Sequence, residues 1–207
     1  MSGLPGWLEA AVGEVVLVLG DSLSAGYGIE RAEGWPSLLA ERLQQEGYPH
    51  RVVNASISGE TTAGGVRRLP PLLDEHQPAV VVIALGANDG LRGLAVDEVA
   101  RNLTQMLAAS KAGGAVPVLL RVRIPPNYGP QYSARFEQLF DAAAGTHEVV
   151  SAPFMLERFA LERAAFQADG LHPTAAVQPQ ILDTLWPAIA QALAQALAHP
   201  APVANAP

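Results

Sequence analysis

The run AVVVIAL, residues 79–85, constrains the fold more than any other stretch of this chain. Alternate side chains of a strand face opposite ways, and here both sets are apolar. A strand of that kind has to be covered on each face. Four further runs share its character: EVVLVL (14–19), HRVVNA (50–55), AVPVLLRV (115–122) and EVVSAP (148–153). Helix signals fill the intervals. In GWPSLLAERLQQEGY, Pro36 suits a first turn, Gly47 suits a stop, and Leu38, Leu39 and Leu43 share one face. The spacing predicts Asp97 as cap and Gly113 as stop for VDEVARNLTQMLAASKAGG, and Ser133 and Gly145 in those roles for SARFEQLFDAAAG. The last helical stretch, TAAVQPQILDTLWPAIAQALAQALA, carries Pro179 and Pro187, which predicts a kink or break near Trp186.

Strands alternating with helices at this spacing need crossover connections, hence a parallel sheet between two helical layers. The expectation is an α/β protein: a three-layer α/β/α sandwich on a five-stranded parallel sheet, in the flavodoxin-like order 2-1-3-4-5. A chain of 207 residues, 49% apolar and 16% charged, fits one domain, taken as 1–198, with a flexible Pro/Ala-rich tail over 199–207.

Composition excludes several classes of function. Without cysteine there is no disulfide, no thiolate nucleophile and no Cys-ligated zinc. The five histidines are widely separated, with no HxH or HExxH spacing, so a structural metal site is not expected. A net charge of −7 without a basic stripe speaks against nucleic acid as a partner. No stretch approaches the ~20 apolar residues of a membrane span, so stable membrane insertion is not expected. The opening MSGLPGWLEAAVGE has no basic residue and only a short apolar run. As written, the chain reads as cytoplasmic, or as periplasmic if an export segment has been removed.

In an open parallel sheet, ligands gather beyond the carboxyl ends of the strands. The loops there are GDSLS, SISGETT, GANDG and RIPPNYG, with DGLHP (169–173) well past the fifth strand. Ser22 follows strand 1 directly. A nucleophilic serine needs a base, a group to orient that base, and donors aimed at a developing oxyanion. Asp169 and His172, three residues apart across a turn loosened by Gly170, can supply the first two. Gly59 lets a backbone N–H approach a substrate oxygen, Asn88 offers a side-chain amide, and the Ser22 N–H can be a third donor. Singly, each has a plainer reading as turn chemistry. Jointly, on one rim, they point to acyl transfer. Asp21 and Asp89 read as ties for tight loops, and Arg92 as a solvated loop arginine, with an anionic head group or coenzyme phosphate as its alternative partner. Leu91, Leu94, Ile124, Tyr128 and Phe154 lie in or beside these loops, either as an apolar acyl groove or as ordinary core.

GDSLS, SGET, GAND and DGLHP, in that order, resemble the four signature blocks of the SGNH (GDSL) hydrolase family. Its four namesake residues match Ser22, Gly59, Asn88 and His172. NASISGETT, GANDGLRG and RIPPNYG are similar to its TesA-type branch, the acyl-CoA thioesterase I/lysophospholipase/arylesterase enzymes. The resemblance implies the same α/β/α fold and an esterase-thioesterase without a cofactor. It implies Ser22 as nucleophile, His172 as base, Asp169 as its orienter, and Ser22, Gly59 and Asn88 as oxyanion hole. The expected partner is a small-molecule acyl ester or thioester, handled by a monomer. Since the fifth residue of GDSLS is Ser24, this is not the GxSxG elbow of the α/β-hydrolases. A short-chain or carbohydrate acetylesterase is the enzymatic alternative. A nucleotide-binding module lacks its GxGxxG or Walker spacing here, and a non-catalytic lipid-binding protein would not need every catalytic position filled.

Overall fold

A computed structural model describes residues 14–199. The opening segment and all but the first residue of the expected tail therefore lie outside the described residues. Five parallel strands, β1 (Val15–Gly20), β2 (Arg51–Asn54), β3 (Val80–Ala84), β4 (Val116–Leu120) and β5 (Val150–Ala152), form one sheet in the order β2-β1-β3-β4-β5. The fully buried β3 lies at its centre. Val80 and Val82 point into one apolar cluster, Val81 and Ile83 into the other. That is the two-sided burial its sequence demands, with each such side chain contributing on the order of 2 kcal/mol.

On one face pack α2 (Trp35–Gln45) and α7 (Gln178–Ala198), through Trp35, Leu39, Leu43, Ile181, Leu185 and Ile189. The other face is covered by α3 (Thr62–His76), α5 (Val96–Ala112) and α6 (Pro130–His147). Two short helices, α1 (Ser22–Ala25) and α4 (Ala87–Leu91), follow β1 and β3 directly.

Several local expectations need correction. Helix α5 starts after Ala95, which has no side-chain cap, so Asp97 lies in its first turn and pairs with Arg135 instead (3.0 Å). Helix α6 starts at Pro130 behind Gly129, where proline's missing N–H costs nothing. Ser133 and Gly145 are consequently interior to it, and it ends at Glu148 in a left-handed conformation (φ 48°). Helix α7 runs unbroken through Pro187. The carbonyl that Pro187 leaves without its helical partner belongs to Asp183, on the exposed side.

Helix α3 was masked in the sequence by its Pro70-Pro71 pair. Both prolines face solvent, while Gly64, Gly65 and Leu69 turn inward. A Cβ on Gly65 would run into Leu85 and Met106, so the glycine brings the helix close to the sheet. Packing of that face outweighs the weak local propensity.

Candidate active site

Strand order reverses at β1, which has β2 on one side and β3 on the other. The crevice beyond this switch point receives the loops after β1, β2 and β3. Asp21 accepts the Leu23 N–H (3.0 Å) and caps α1, which begins at Ser22. The Asn54 amide donates to the Ser24 carbonyl (2.8 Å) and its oxygen accepts from Ser56 N–H (3.1 Å), binding the first loop to the second.

DGLHP is a self-contained turn. Asp169 Oδ1 accepts the N–H groups of Leu171 (2.9 Å) and His172 (3.0 Å), with Gly170 at φ 70° between the carboxylate residue and these donors. The second oxygen meets His172 Nδ1 at 2.7 Å. The opposite ring nitrogen, Nε2, lies 2.9 Å from Ser22 Oγ. An ionised carboxylate can only accept, so Nδ1 donates; in the neutral imidazole, Nε2 is then the acceptor that faces the serine hydroxyl. These bonds, the ring of His172 first among them, hold the Asp169 carboxyl well below the usual carboxylate range. The Tyr27 ring leans on the imidazole at 4.4 Å between centroids, 35° from parallel.

Residues that the sequence did not flag fix this turn in place. Arg163 donates to three successive carbonyls, those of Phe166 (3.0 Å), Gln167 (2.8 Å) and Ala168 (3.1 Å). Gln167 joins the turn to the serine loop by donating to the Tyr27 carbonyl (2.7 Å). No spacing rule could have singled out either residue.

Across the crevice, Asn88 Nδ2 donates to the Glu60 carbonyl (3.0 Å) and makes a long contact of 3.4 Å with Asp21 Oδ2. Among the described residues, the N–H groups of Ser22 and Gly59 donate to no loop or cap acceptor. Gly59 has φ 78°, a conformation that would strain any residue with a side chain. Asp89 is buried and ties the loops as expected: it accepts from Thr62 N–H (3.0 Å) and Thr62 Oγ (2.6 Å). Asp21 is also buried, and burial pushes its carboxyl up to about 6, against the Leu23 N–H and His172, which pull it down.

An open groove of about 470 Å³ runs from Ser22, Asn88 and His172 between the loops after β4 and β5. Of the five candidates for an acyl groove, Leu91, Ile124 and Phe154 line it. Leu94 and Tyr128 do not. Both pack against the core cluster under α5 and α6, and the Tyr128 hydroxyl donates to the Leu91 carbonyl (2.7 Å). The rest of the apolar lining includes Leu156, Ala160, Leu161, Phe166 and Leu171. Most of these lie in the irregular segment after β5, which carries no periodic pattern to mark an inward face.

A doubly wound sheet with a serine, a histidine and a carboxylate hydrogen-bonded in series at its switch point defines an ester hydrolase of the SGNH type. Comparison with known proteins agrees. Residues 18–178 match the GDSL-like lipase/acylhydrolase family, and the chain belongs to that family. It is 47% identical to esterase TesA of Pseudomonas aeruginosa over 181 residues, covering 87% of this chain and 90% of that one. With thioesterase 1/protease 1/lysophospholipase L1 of Escherichia coli K12 it shares 42% identity over 175 residues, 84% of this chain and 83% of the relative. The crystal structure of the psychrotrophic esterase EstA from a Pseudoalteromonas species, inhibited by monoethylphosphonate, superimposes with a TM-score of 0.83 at 40% identity, covering 86% of this chain and 97% of that one. Among the described residues no helix is long and apolar enough to cross a membrane.

Proposed function

We propose that this enzyme hydrolyses carboxylic esters and thioesters of medium and long acyl chains through an acyl-enzyme on Ser22. The observation that carries the reading is the unbroken series from Ser22 Oγ to His172 Nε2 (2.9 Å) and from His172 Nδ1 to Asp169 (2.7 Å). Ser22 Oγ bonds to the substrate carbonyl carbon while His172 takes the hydroxyl proton. The oxyanion is met by the N–H groups of Ser22 and Gly59 and by the Asn88 amide, which exchanges its long contact with Asp21 for the new acceptor. His172 passes the proton to the departing alkoxide or thiolate. Water, deprotonated by the same imidazole, then adds to the acyl carbon; the bond to Ser22 Oγ breaks, His172 returns the proton to that oxygen, and the acid is released. Asp169 stabilises the imidazolium in both halves.

The apolar groove supports an acyl chain as the occupant, so aryl esters, acyl-CoA and lysophospholipids are the substrate classes proposed. All the groups that act belong to one chain, in keeping with a monomer as the working unit. The test is hydrolysis of p-nitrophenyl esters from C2 to C16, together with palmitoyl-CoA, by wild type and Ser22→Ala. The reading expects preference for medium or long chains and no activity in the variant. Preference for acetate alone would favour the short-chain or carbohydrate acetylesterase. Activity surviving in Ser22→Ala would remove Ser22 from the mechanism.

A further inference from the structure

Arg92 reads from the sequence as a solvated loop arginine, yet its Nη2 donates to the Gly59 carbonyl at 2.9 Å. Gly59 occupies the exposed tip of a turn closed by Glu60 N–H on the Ile57 carbonyl (3.1 Å). Both feet of this turn are anchored. Ile57 N–H donates to the Gly20 carbonyl (3.0 Å), and the Glu60 carbonyl accepts from Asn88 (3.0 Å). The tip has no such packing. A Cβ built on Gly59 meets nothing within 4 Å except Arg92 Nη2 at 3.8 Å. An oxyanion donor must be held to within a fraction of an ångström of its working position, and among the described residues the side chain that hydrogen-bonds this tip is Arg92, at the Gly59 carbonyl.

Arg92 is also the C-terminal cap of α4, four residues after Asn88. From one short helix, therefore, Asn88 and Arg92 grip the successive carbonyls of Glu60 and Gly59, and Asp89 between them holds Thr62. We propose that Arg92 is a positioning residue for the oxyanion hole: it locks the Gly59 tip to the helix that carries Asn88, so that the two donors act as one rigid unit. The inference rests on the oxyanion-hole role proposed above for Gly59. A hydrogen bond from a charged donor is stronger than one between neutral groups.

The experiment is steady-state kinetics of wild type, Arg92→Ala, Arg92→Lys and Ser22→Ala on a neutral p-nitrophenyl ester and on an acyl-CoA. In Arg92→Ala, kcat should fall roughly tenfold on both substrates with KM nearly unchanged, the pattern of an interaction felt in the transition state. Arg92→Lys should recover part of the loss, and guanidinium added below denaturing concentration should raise kcat of the alanine variant alone. A merely structural arginine would show neither recovery. Unchanged kcat in Arg92→Ala overturns the proposal. So does a loss confined to KM for acyl-CoA, which would make Arg92 a contact for the anionic leaving group. Activity in Ser22→Ala would instead overturn the reading of the site on which the proposal rests.

Discussion

The two sides of the crevice are built by opposite means. The side proposed to supply the base is local, with Asp169 exposed and His172 half-buried: the two sit three residues apart and form their turn with their own backbone. The oxyanion side is long-range and partly buried. Asp21, Thr62, Asn88 and Asp89 come from three loops, and Asp21, Thr62 and Asp89 are almost without solvent contact. On the proposed mechanism the base must be free to take up and release protons, while the donors have to be rigid before charge develops. Exposed arginines reinforce both, Arg163 on the carbonyls of the base turn and Arg92 on the Gly59 tip.

This contrast predicts that the two sides fail differently. Asp169→Asn should lower kcat by roughly 10⁴-fold, because the imidazole loses the partner that fixes its tautomer. Its melting temperature should stay close to that of wild type, since the turn is exposed. A large drop in thermal stability would show that the base side is structural after all. Asp89→Ala should do the reverse, destabilising the fold by roughly 4 kcal/mol, or about 10 °C in Tm, by leaving the buried donors of Thr62 without an acceptor. A calorimetric scan matching wild type would remove Asp89 as the anchor between loops.

Asn88→Ala sharpens the comparison within the oxyanion side. Its kcat should fall on the order of 10²–10³-fold, with short and long esters affected alike. A loss restricted to long chains would place Asn88 in the groove rather than at the oxyanion.

The smallest effect concerns Asp21 and pH. Its carboxyl titrates near 6 in the folded chain against 3.8 as a free side chain, so the folded state holds this proton more tightly. Its contribution to stability is therefore greatest below pH ~4, is lost as pH rises toward ~6, and is level above that, amounting to at most about 3 kcal/mol. Asp21→Asn keeps a capping side chain and should flatten this part of the curve in urea unfolding from pH 4 to 7. A slope identical to that of wild type would assign the pH dependence to another group.

The same contrast decides what was legible in the sequence. Both members of the base pair lie in one short motif, so Asp169 and His172 could be read together from spacing. The parallel sheet and the two-sided burial of β3 followed from apolar runs alternating with helical stretches, whereas the strand order rested on the flavodoxin-like arrangement being the commonest for five such strands and on no residue pattern. Asp89–Thr62 and Arg92–Gly59 join residues about thirty positions apart, and no local pattern encodes such a bond. Helix α3 was hidden because its prolines signal a break, while the packing of Gly65 and Leu69 that overrides them exists only in three dimensions. The groove was half legible: Leu91, Ile124 and Phe154 flank recognisable loop motifs, but Leu156, Leu161 and Leu171 belong to segments without a period.

The central claim is that Ser22, activated through His172 and Asp169, carries the acyl group. Intact-protein and peptide mass spectrometry after treatment with an aryl organophosphate tests it most directly, because the reagent phosphorylates an activated serine without needing the acyl groove. The account predicts one adduct per chain, on the peptide containing Ser22, formed much more slowly in Asp169→Asn and His172→Ala. An adduct on another residue, or equal rates in those variants, would contradict it.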